Sequence, residues 1–478
     1  MAQRREKLLI GPRVRRLRQT LGITQARMAE DLDISTSYLN LIERNQRPMS
    51  AAVLLRFAQV YNFDISEFSS GSDSQLTAEL YEVMRDPRVS DNPVAKSEVE
   101  DVVNASPALA RATLKLYERY RDVSRRLYSE SNPLADRDKV EILEESARSV
   151  EAVREFFTAQ GNYFPELDQA AEDFSKELSL AVHEPHVTLS NRLREKHNLT
   201  VRILPVEVMD DKLRYFDRHR SGIDLSELLP QSGRRFQLAV QLAMLEYGEL
   251  IDDAVREANL PGRNAIGLAR ASVAKYFAAA MLMPYGRFLR ECEKTGYDLE
   301  LLSNRFGTSY EQTAHRLTTL QKPDARGIPF FFIRMDTAGN VSKRFSAGRF
   351  PFSKFGGTCP LWNIHECFET PGKLRTQIVT IPDNASYFSI ARTVSRADST
   401  FDRPATKHAI GLGCEMAYAP RLIYARDYNL ETPNPTPIGI NCYLCERENC
   451  SSRAHAPLNR ELTFDERAHG ISLYRFES

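Results

Sequence analysis

The stretch that decides the fold of the N-terminal part is residues 24–47, TQARMAEDLDISTSYLNLIERNQR. It predicts two short helices joined by a tight turn, because Thr24 can cap the first helix and Ser35 or Thr36 can cap the second. A second helix that begins in this way presents its N-terminal half to the major groove of DNA, so the spacing predicts a helix-turn-helix. The apolar side chains that recur at helical spacing are Met28, Ala29 and Leu32 in the first helix and Leu39 and Ile42 in the second.

Charge around the helix-turn-helix favours contact with nucleic acid. Residues 1–50 carry ten Lys or Arg and five Asp or Glu, a net charge of +5, whereas the whole chain carries 64 of each kind and is neutral. A local positive field of this kind suits contact with DNA phosphates, which dominates salt-dependent affinity. A small helical interaction domain with a solvated basic face is the alternative interpretation.

The helix-turn-helix resembles the DNA-binding domain of phage repressors, a bundle of five helices. Gln25 matches the glutamine that opens the second helix of that domain. The resemblance implies that Gln25 and Arg44 position phosphates. It also implies that Thr36, Ser37 and Asn40 read the edges of bases. Double-stranded DNA is therefore the expected partner.

Length and composition are those of an ordinary soluble protein. A chain of 478 residues allows about three domains, and 42% hydrophobic with 27% charged residues is a globular composition. No apolar run approaches the roughly 20 residues that span a bilayer, and the charged start lacks a signal-peptide core. We therefore expect a cytoplasmic protein that does not enter a membrane. Seven cysteines, an odd number, argue against a disulfide framework and leave a metal or cluster site open.

The chain is expected to be an α+β protein of several domains. Residues 1–70 form the all-α five-helix domain, and 71–137 form a helical linker or dimerisation region. Residues 138–320 are mostly helical by period, and 321–478 form a mixed α/β sensor that includes the cysteine-bearing segment. Strands are predicted at 200–204, 330–335, 377–381 and 387–393, with a hairpin turn at 336–340.

The linker region contains one long predicted helix, from Ala108 to Tyr128, with an apolar stripe along one side. The stripe predicts either packing inside the chain or a seam between two copies. A homodimer, or a higher homo-oligomer, is attractive because two half-sites one DNA turn apart need two recognition helices. The stripe consists of Leu109, Ala112, Leu116, Tyr120, Val123 and Leu127.

Residues 235–244, RFQLAVQLAM, resemble the helix that carries the HExxH motif in ImmA/IrrE-type metallopeptidases. Val240 and Met244 stand at the positions of the two zinc-binding histidines, and Gln241 stands at that of the general base. In an active site two histidines one turn apart hold zinc, and a carboxylate activates the zinc-bound water. Valine and an amide supply neither function. We therefore expect a degenerate peptidase-like domain without peptidase activity.

Cysteines cluster near the C terminus in residues 442–450, CYLCERENC. Three thiols within nine residues converge only if the loop folds round a shared ion or cluster, and thiolates favour zinc or an iron–sulfur cluster. The spacing leaves zinc and iron open, and reduced thiols without metal are a further alternative. Cys359 is a spare candidate for the fourth ligand. The predicted metal ligands are Cys414, Cys442, Cys445 and Cys450.

Three C-terminal motifs follow the peptidase-like helix: CPLW at 359–362, GLGCE at 411–415 and CYLCER at 442–447. Together with the N-terminal domains they are similar to the short-chain-fatty-acyl transcriptional regulator family over nearly the whole chain. The resemblance implies control of genes for short-chain acyl-CoA and glyoxylate or methylcitrate metabolism. It also implies coenzyme A or an acyl-CoA as effector and a 4Fe-4S cluster at the C-terminal cysteines. The alternative is a regulator with a purely structural zinc site that answers to a protein partner.

A coenzyme A ligand needs Arg or Lys for its phosphates, an aromatic face for its adenine and a narrow apolar channel for its tail. Basic and aromatic residues interleave at 343–354 in the predicted sensor. A solvated rim over a packed core is the alternative for any single one of these residues. The candidate effector ligands are Arg344, Arg349 and Lys354.

Overall fold

The structure, a computed structural model, shows a protein of several domains that combines helices with two β-sheets. The residues that it describes are 11–44, 46–61, 71–86, 89, 94–130, 137–352, 358–395, 405–443, 445, 447–457, 460, 462–463, 470–472, 474 and 476.

Helices form the N-terminal part of the described chain, and they enclose one small core. Met28, Leu39 and Phe57 have no exposed surface there. The fifth helix of the expected bundle, which the sequence predicts at residues 65–68 after α4, lies outside the described residues. The helices are α1 (Gly11–Thr20), α2 (Gln25–Leu32), α3 (Thr36–Glu43) and α4 (Ala51–Val60).

The linker region folds as three helices, α5 (Gly71–Met84), α6 (Lys96–Ala105) and α7 (Pro107–Glu130), around a core of their own. The buried face of α7 is not the stripe that the sequence suggested, because the residues that pack inward are Ala110, Leu114 and Tyr117. Leu109, Leu116 and Tyr120 instead expose 58%, 67% and 43% of their surface. Packing inside the chain is therefore the wrong interpretation for this side of α7.

The peptidase-like domain is a helical bundle with a small three-stranded sheet in the order β1-β3-β2. β1 runs parallel to β3, and β2 runs antiparallel to it. The bundle and the sheet share one large core. The elements are α8 (Arg137–Ala159), α9 (Pro165–Glu177), α10 (Pro185–His197), β1 (Thr200–Leu204), α11 (Val206–Met209), β2 (Arg214–Asp217), β3 (Gly222–Ser226), α12 (Gln231–Glu246), α13 (Gly248–Glu257) and α14 (Gly262–Leu282).

The central helix of this domain is α14. By length and composition it could span a membrane, contrary to the expectation that no apolar run is long enough. In the fold, 61% of the most apolar 18-residue stretch of this helix is buried inside the protein. Ala274 and Phe277 have no exposed surface, and the helix contacts α8, α9 and α12. Its apolar composition therefore matches its position, since a helix surrounded by other elements is hydrophobic on all sides.

A six-stranded sheet in the order β5-β4-β8-β7-β6-β9 forms the C-terminal domain. The predicted hairpin at 336–340 is confirmed, because it joins β4 to β5 as an antiparallel pair. All other pairs are antiparallel except β6 with β9. The strands are β4 (Phe331–Asp336), β5 (Val341–Ser346), β6 (Arg375–Thr380), β7 (Ser386–Ser395), β8 (Lys407–Glu415) and β9 (Thr436–Pro437).

Both faces of this sheet are covered. One face packs on the helices α15 (Tyr285–Thr295), α16 (Leu299–Phe306) and α17 (Tyr310–Leu317). The other packs on the loop before the short helix α18 (Asn363–Glu366) and on that helix. The helices α15–α17 precede the predicted domain boundary at residue 320, yet their apolar sides bury the sensor sheet.

The linker helices contact the sensor domain directly. Gln75 of α5 exchanges two hydrogen bonds with the backbone of Phe352, at 3.4 and 3.3 Å. Lys96 of α6 lies 3.4 Å from the carboxylate of Asp383, in the turn between β6 and β7. The linker helices α5 and α6, which follow the DNA-binding domain, therefore pack against the sensor domain.

Candidate DNA-binding and ligand-binding sites

Two N-caps position the helix-turn-helix. The Thr24 hydroxyl accepts a hydrogen bond from the backbone N–H of Arg27 at 3.2 Å, and the Ser35 hydroxyl accepts one from that of Tyr38 at 3.1 Å. The turn between them is made by Asp33, whose φ of 56° is the left-handed conformation that ends a helix. Ser35, one of the two predicted caps, is therefore the cap of α3.

A buried carboxylate fixes the angle between the first three helices. Glu43, at the end of α3, accepts hydrogen bonds from Arg18 Nε at 2.7 Å and Arg18 Nη2 at 3.1 Å. Gln25 Nε2 donates to the same carboxylate at 3.0 Å. The side chain expected to hold a phosphate thus also ties the start of α2 to the end of α3. Its role toward DNA stays a prediction.

The predicted base-reading residues lie on the open side of α3. Thr36 and Ser37 are exposed in its first turn, Asn40 follows one turn later and is half-buried, and Arg44 is exposed just beyond the last turn. The three predicted base-reading side chains therefore lie on α3, and the predicted phosphate ligand Arg44 lies at its C-terminal end. Helix N-terminal halves in this position face base edges in the major groove, whereas flanking cations meet phosphates.

Two substitutions distinguish base reading from phosphate contact. We expect Asn40→Ala to lower affinity for the operator about tenfold or more while leaving random DNA nearly unchanged, because an amide contact to a base discriminates by about 1–3 kcal/mol. We expect Arg44→Ala to weaken both duplexes alike and to reduce the slope of log affinity against log salt by about one. Salt titrations with both duplexes measure this. Equal losses on both duplexes for Asn40→Ala would refute its assignment.

Four cysteines line one pocket at the edge of the sensor sheet, and they are Cys359, Cys442, Cys445 and Cys450. Within the described part of the chain, no three His, Cys, Asp or Glu side chains stand close enough in this conformation to hold a metal ion. The Cys445 side chain packs directly against the backbone of Gly439. A Cβ added at Gly439 would come within 2.9 Å of the Cys445 sulfur.

Arginines shape the loop that carries these cysteines. Arg453 donates to the carbonyl oxygens of Cys442 at 3.3 Å and Cys445 at 3.0 Å. Arg447 donates to the carbonyl oxygen of Thr380 on β6 at 2.8 Å. Burial raises the pKa of the Cys359 thiol, backbone N–H groups lower it, and the nearby Cys445 raises it again. Cys359 therefore belongs to this cysteine group although it lies far away in sequence.

Cys414, by contrast, lies apart from the cysteine pocket. It sits on β8 opposite Phe388 and points into the core between the sheet and α15–α17. Cys359 belongs to the core on the other face of the sheet. Burial raises the pKa of the Cys414 thiol, followed by the effect of Glu415. The geometry thus contradicts the grouping of Cys414 with the three C-terminal cysteines and supports the alternative, Cys359. Cys292 and Cys367 are packed core residues.

The three predicted effector ligands do not form one described site. Arg344 on β5 lies against α8 of the peptidase-like domain, and its Nη2 is 3.6 Å from the carboxylate of Glu151. Burial lowers its pKa, and Glu151 raises it. Arg349 is exposed after β5, and Lys354 lies outside the described residues. Arg344 is thus engaged within the protein. Sequence reasoning missed that Lys343, its neighbour, faces the opposite way.

The chain matches known proteins along nearly its whole length. Residues 319–474 match the model of the family described as short-chain fatty acyl coenzyme A regulator, C-terminal. Residues 194–318 match an IrrE N-terminal-like domain, and 9–69 match a helix-turn-helix domain. The HTH-type transcriptional regulator RamB of Mycobacterium tuberculosis is 40% identical over 476 residues, 98% of each chain. The protein belongs to the short-chain fatty acyl coenzyme A regulator family.

Further members of this regulator family are similar over most of their length. The propionyl-CoA carboxylase regulator of Cereibacter sphaeroides is 37% identical over 469 residues, 98% of this chain and 99% of the relative. The HTH-type transcriptional regulator PrpR of Mycobacterium tuberculosis is 36% identical over 465 residues, 97% of this chain and 94% of the relative. A solved structure of a Mycobacterium tuberculosis transcriptional regulator superposes with a TM-score of 0.65 at 37% identity, covering 68% of this chain and 99% of that chain.

This family member is a DNA-binding transcriptional regulator and not an enzyme. Its IrrE-like domain stands within a regulator family. In the structure Val240 and Gln241, at the positions of a zinc ligand and the general base, are buried in the helical core. The helix that would carry a catalytic zinc ion in a peptidase therefore serves packing here.

Proposed function

We propose that this regulator carries an iron–sulfur cluster on four cysteines, responds to a coenzyme A-type ligand and binds its operator as a homodimer in the cytoplasm. The observation that carries the proposal is the pocket at the edge of the sensor sheet, where Cys359 joins the three cysteines of residues 442–450. Family membership supports the regulatory role, because the relatives that match the whole chain are transcriptional regulators.

Four thiols are the ligand set of both a 4Fe-4S cluster and a structural zinc ion. Cys359, Cys442, Cys445 and Cys450 would supply the thiolates, and the carbonyl-bound Arg453 would hold the loop in place. A cluster would add sensitivity to iron supply or oxidation, whereas zinc would only stabilise the fold. We favour the cluster because it is what the resemblance of the cysteine motifs to this regulator family implies.

Matched alanine variants test the ligand set. We expect anaerobically purified Cys359→Ala to lose bound iron and acid-labile sulfide, because three thiolates hold a four-iron cluster poorly. Cys414→Ala should keep both at the level of the unsubstituted protein, because that sulfur lies on the other face of the sheet. Iron and sulfide assays with the visible spectrum measure this. Retention by Cys359→Ala and loss by Cys414→Ala would contradict it; stoichiometric zinc without iron would establish the structural alternative.

A coenzyme A-type effector is supported by the names of relatives. The family is named for short-chain fatty acyl coenzyme A, and one full-length relative is a regulator of propionyl-CoA carboxylase. Regulation would require that the ligand bind one state of the sensor more tightly than the other. We propose genes of short-chain acyl-CoA metabolism as targets.

A homodimer is supported by the outer side of α7. Leu109, Leu116 and Tyr120 lie on one ridge of this helix, on the side away from its packing against α5 and α6. We name this exposed side the α7 ridge. A second copy of the chain is the occupant we propose, because two recognition helices are needed for two half-sites and a two-fold seam is self-complementary.

A further inference from the structure

The turn that follows α5 carries a buried arginine. Arg85 exposes 6% of its surface, and its guanidinium carbon lies 4.9 Å from the centre of the Tyr81 ring. Because arginine stays protonated in proteins, this turn buries a positive charge. The next residue, Asp86, accepts a hydrogen bond from the Tyr117 hydroxyl of α7. The turn is therefore fixed to the three helices α5, α6 and α7, which we call the linker bundle.

Arg85 lies beside the loop of residues 442–453, which we call the cysteine loop. Burial lowers the pKa of Arg85, and the charge of Tyr81 raises it. Next in size are the effects of Arg460, which lowers this pKa, and of Cys445, which raises it. Cys445 exposes only 7% of its surface. Water therefore screens the interaction between the guanidinium and this sulfur only weakly.

A second contact brings the linker bundle to the same edge of the sensor sheet. Lys96 of α6 lies 3.4 Å from the carboxylate of Asp383, in the turn that follows Thr380 at the end of β6. The carbonyl oxygen of Thr380 accepts hydrogen bonds from Arg447 at 2.8 Å and from the backbone N–H of Ile438 at 2.9 Å. The linker bundle and the cysteine loop are therefore both attached where β6 ends.

A third contact leads to the remaining cysteine of the pocket. Gln75 of α5 exchanges its two hydrogen bonds with the backbone of Phe352, and Phe352 packs in the same core as Cys359. The linker bundle is thus close to the loop that carries three of the four cysteines and to the core that carries the fourth.

The linker bundle also contacts the DNA-binding domain. Helix α1 packs on α6. Arg18 of α1 in turn donates to the carboxylate of Glu43, at the end of α3, at 2.7 Å. A displacement of the linker bundle would therefore reach the recognition helix through α1.

We infer that Arg85 is a positioning residue of the cysteine site, whose buried cation couples the charge of the four cysteines to the position of the linker bundle. Thiolates that hold a metal ion or a cluster carry a net negative charge, which attracts the guanidinium. Neutral thiols attract it far less, and a buried cation is costly without opposite charge nearby. The inference rests on the proposed function only for what the cysteines hold.

Hydrogen exchange of the full-length protein, followed by mass spectrometry, tests the coupling. An oxidant with a chelator, followed by a thiol reductant, removes the metal, and metal analysis confirms its loss. In the unsubstituted protein this treatment should speed exchange in α5 and α6 as well as in the cysteine loop. We expect Arg85→Gln to exchange about tenfold or more faster in α5 and α6 before treatment, because one charge-assisted contact is lost. Treatment should then add little. Faster exchange confined to the cysteine loop would overturn the inference.

Two control variants separate charge from packing. Arg85→Lys keeps a cation in the turn and should respond to metal removal like the unsubstituted protein. Arg111→Gln removes the same single charge from an exposed position of α7 and should respond in the same way. A normal response of Arg85→Lys would support the inference even if Arg85→Gln folds poorly. Arg85→Lys that behaves like Arg85→Gln would show that shape rather than charge matters, and would overturn it.

The midpoint potential is a second readout, which a purely structural role would not move. A buried cation favours the more negative, reduced state of a nearby centre. In protein that contains iron and acid-labile sulfide, we expect Arg85→Gln to lower the midpoint potential and Arg111→Gln to leave it unchanged. An unchanged potential in Arg85→Gln would overturn the inference and leave the proposed cluster standing. Zinc in place of iron would overturn the proposed cluster alone, because hydrogen exchange would still decide the role of Arg85.

Discussion

Replacement of Asp168 by alanine is expected to lower the free energy of unfolding by about 3–5 kcal/mol, the largest stability effect of any single substitution considered for this protein. Asp168 on α9 accepts hydrogen bonds from Arg316 on α17, Nη1 to Oδ2 at 2.7 Å and Nη2 to Oδ1 at 3.0 Å. Tyr276 on α14 donates to the same carboxylate at 2.6 Å. The Arg316 and Asp168 side chains expose only 1% and 2% of their surface. Removal of the carboxylate would leave a buried guanidinium without its counter-charge.

The position of this pair explains the size of the effect. Arg316 Nε also donates to the carbonyl oxygen of Met283, at 3.1 Å, where α14 ends. The pair therefore ties the peptidase-like bundle to the helices that bury the sensor sheet. Thermal and denaturant unfolding of Asp168→Ala would measure the loss.

Two further variants decide whether the buried pair is the cause. Asp173→Ala removes a carboxylate from the same helix, where it contacts only exposed partners, and should leave the unfolding transition nearly unchanged. The double variant Asp168→Ala/Arg316→Met should lose less than the sum of its single changes, because it leaves no unpaired charge. Equal stability of Asp168→Ala and Asp173→Ala would contradict this account.

Conversion of the protein to a monomer is the second large effect, expected for Leu116→Glu on the α7 ridge. Leu116 exposes 67% of its surface, so the substitution leaves the folded chain intact. A carboxylate placed in an apolar seam between two copies would have to lose its water without a partner. A monomer holds one half-site instead of two, and operator affinity should fall at least about a hundredfold.

Light scattering with operator titration measures both consequences. Arg111→Gln is the matched control, because it changes the net charge by the same single unit at another exposed position of α7. It should remain dimeric and bind normally. A dimeric Leu116→Glu, or a monomeric protein before any substitution, would show that the α7 ridge is not the seam.

Local features of the fold were predictable from the sequence. Caps, turn residues and helical spacing lie close together in the chain, so Thr24 and Ser35 identified α2 and α3 without tertiary information. The hairpin at 336–340 and the strand Thr200–Leu204 followed from turn chemistry and alternation in the same way. The degenerate peptidase helix was visible because its motif occupies only ten residues.

Features that depend on contacts distant in sequence were not predictable. Cys359 stands closer to the three C-terminal cysteines than Cys414 does, because β8 turns Cys414 toward the opposite face of the sheet. The sequence left open whether the apolar stripe of α7 packs inside the chain, because the helix carries apolar residues on two sides and only the folded bundle shows which side it buries. Arg344 was predicted from composition alone, and its contact with Glu151 of α8 arises only through the fold.

The central claim is that α3 selects a DNA sequence and that the remaining domains adjust this selection. Fluorescence anisotropy of the anaerobically purified full-length protein tests it most directly, at one fixed salt concentration, on the promoter duplex selected by the protein from genomic fragments and on a scrambled duplex of equal length and composition. The account predicts at least about a thousandfold preference for the promoter. Equal affinity for the two duplexes would contradict it.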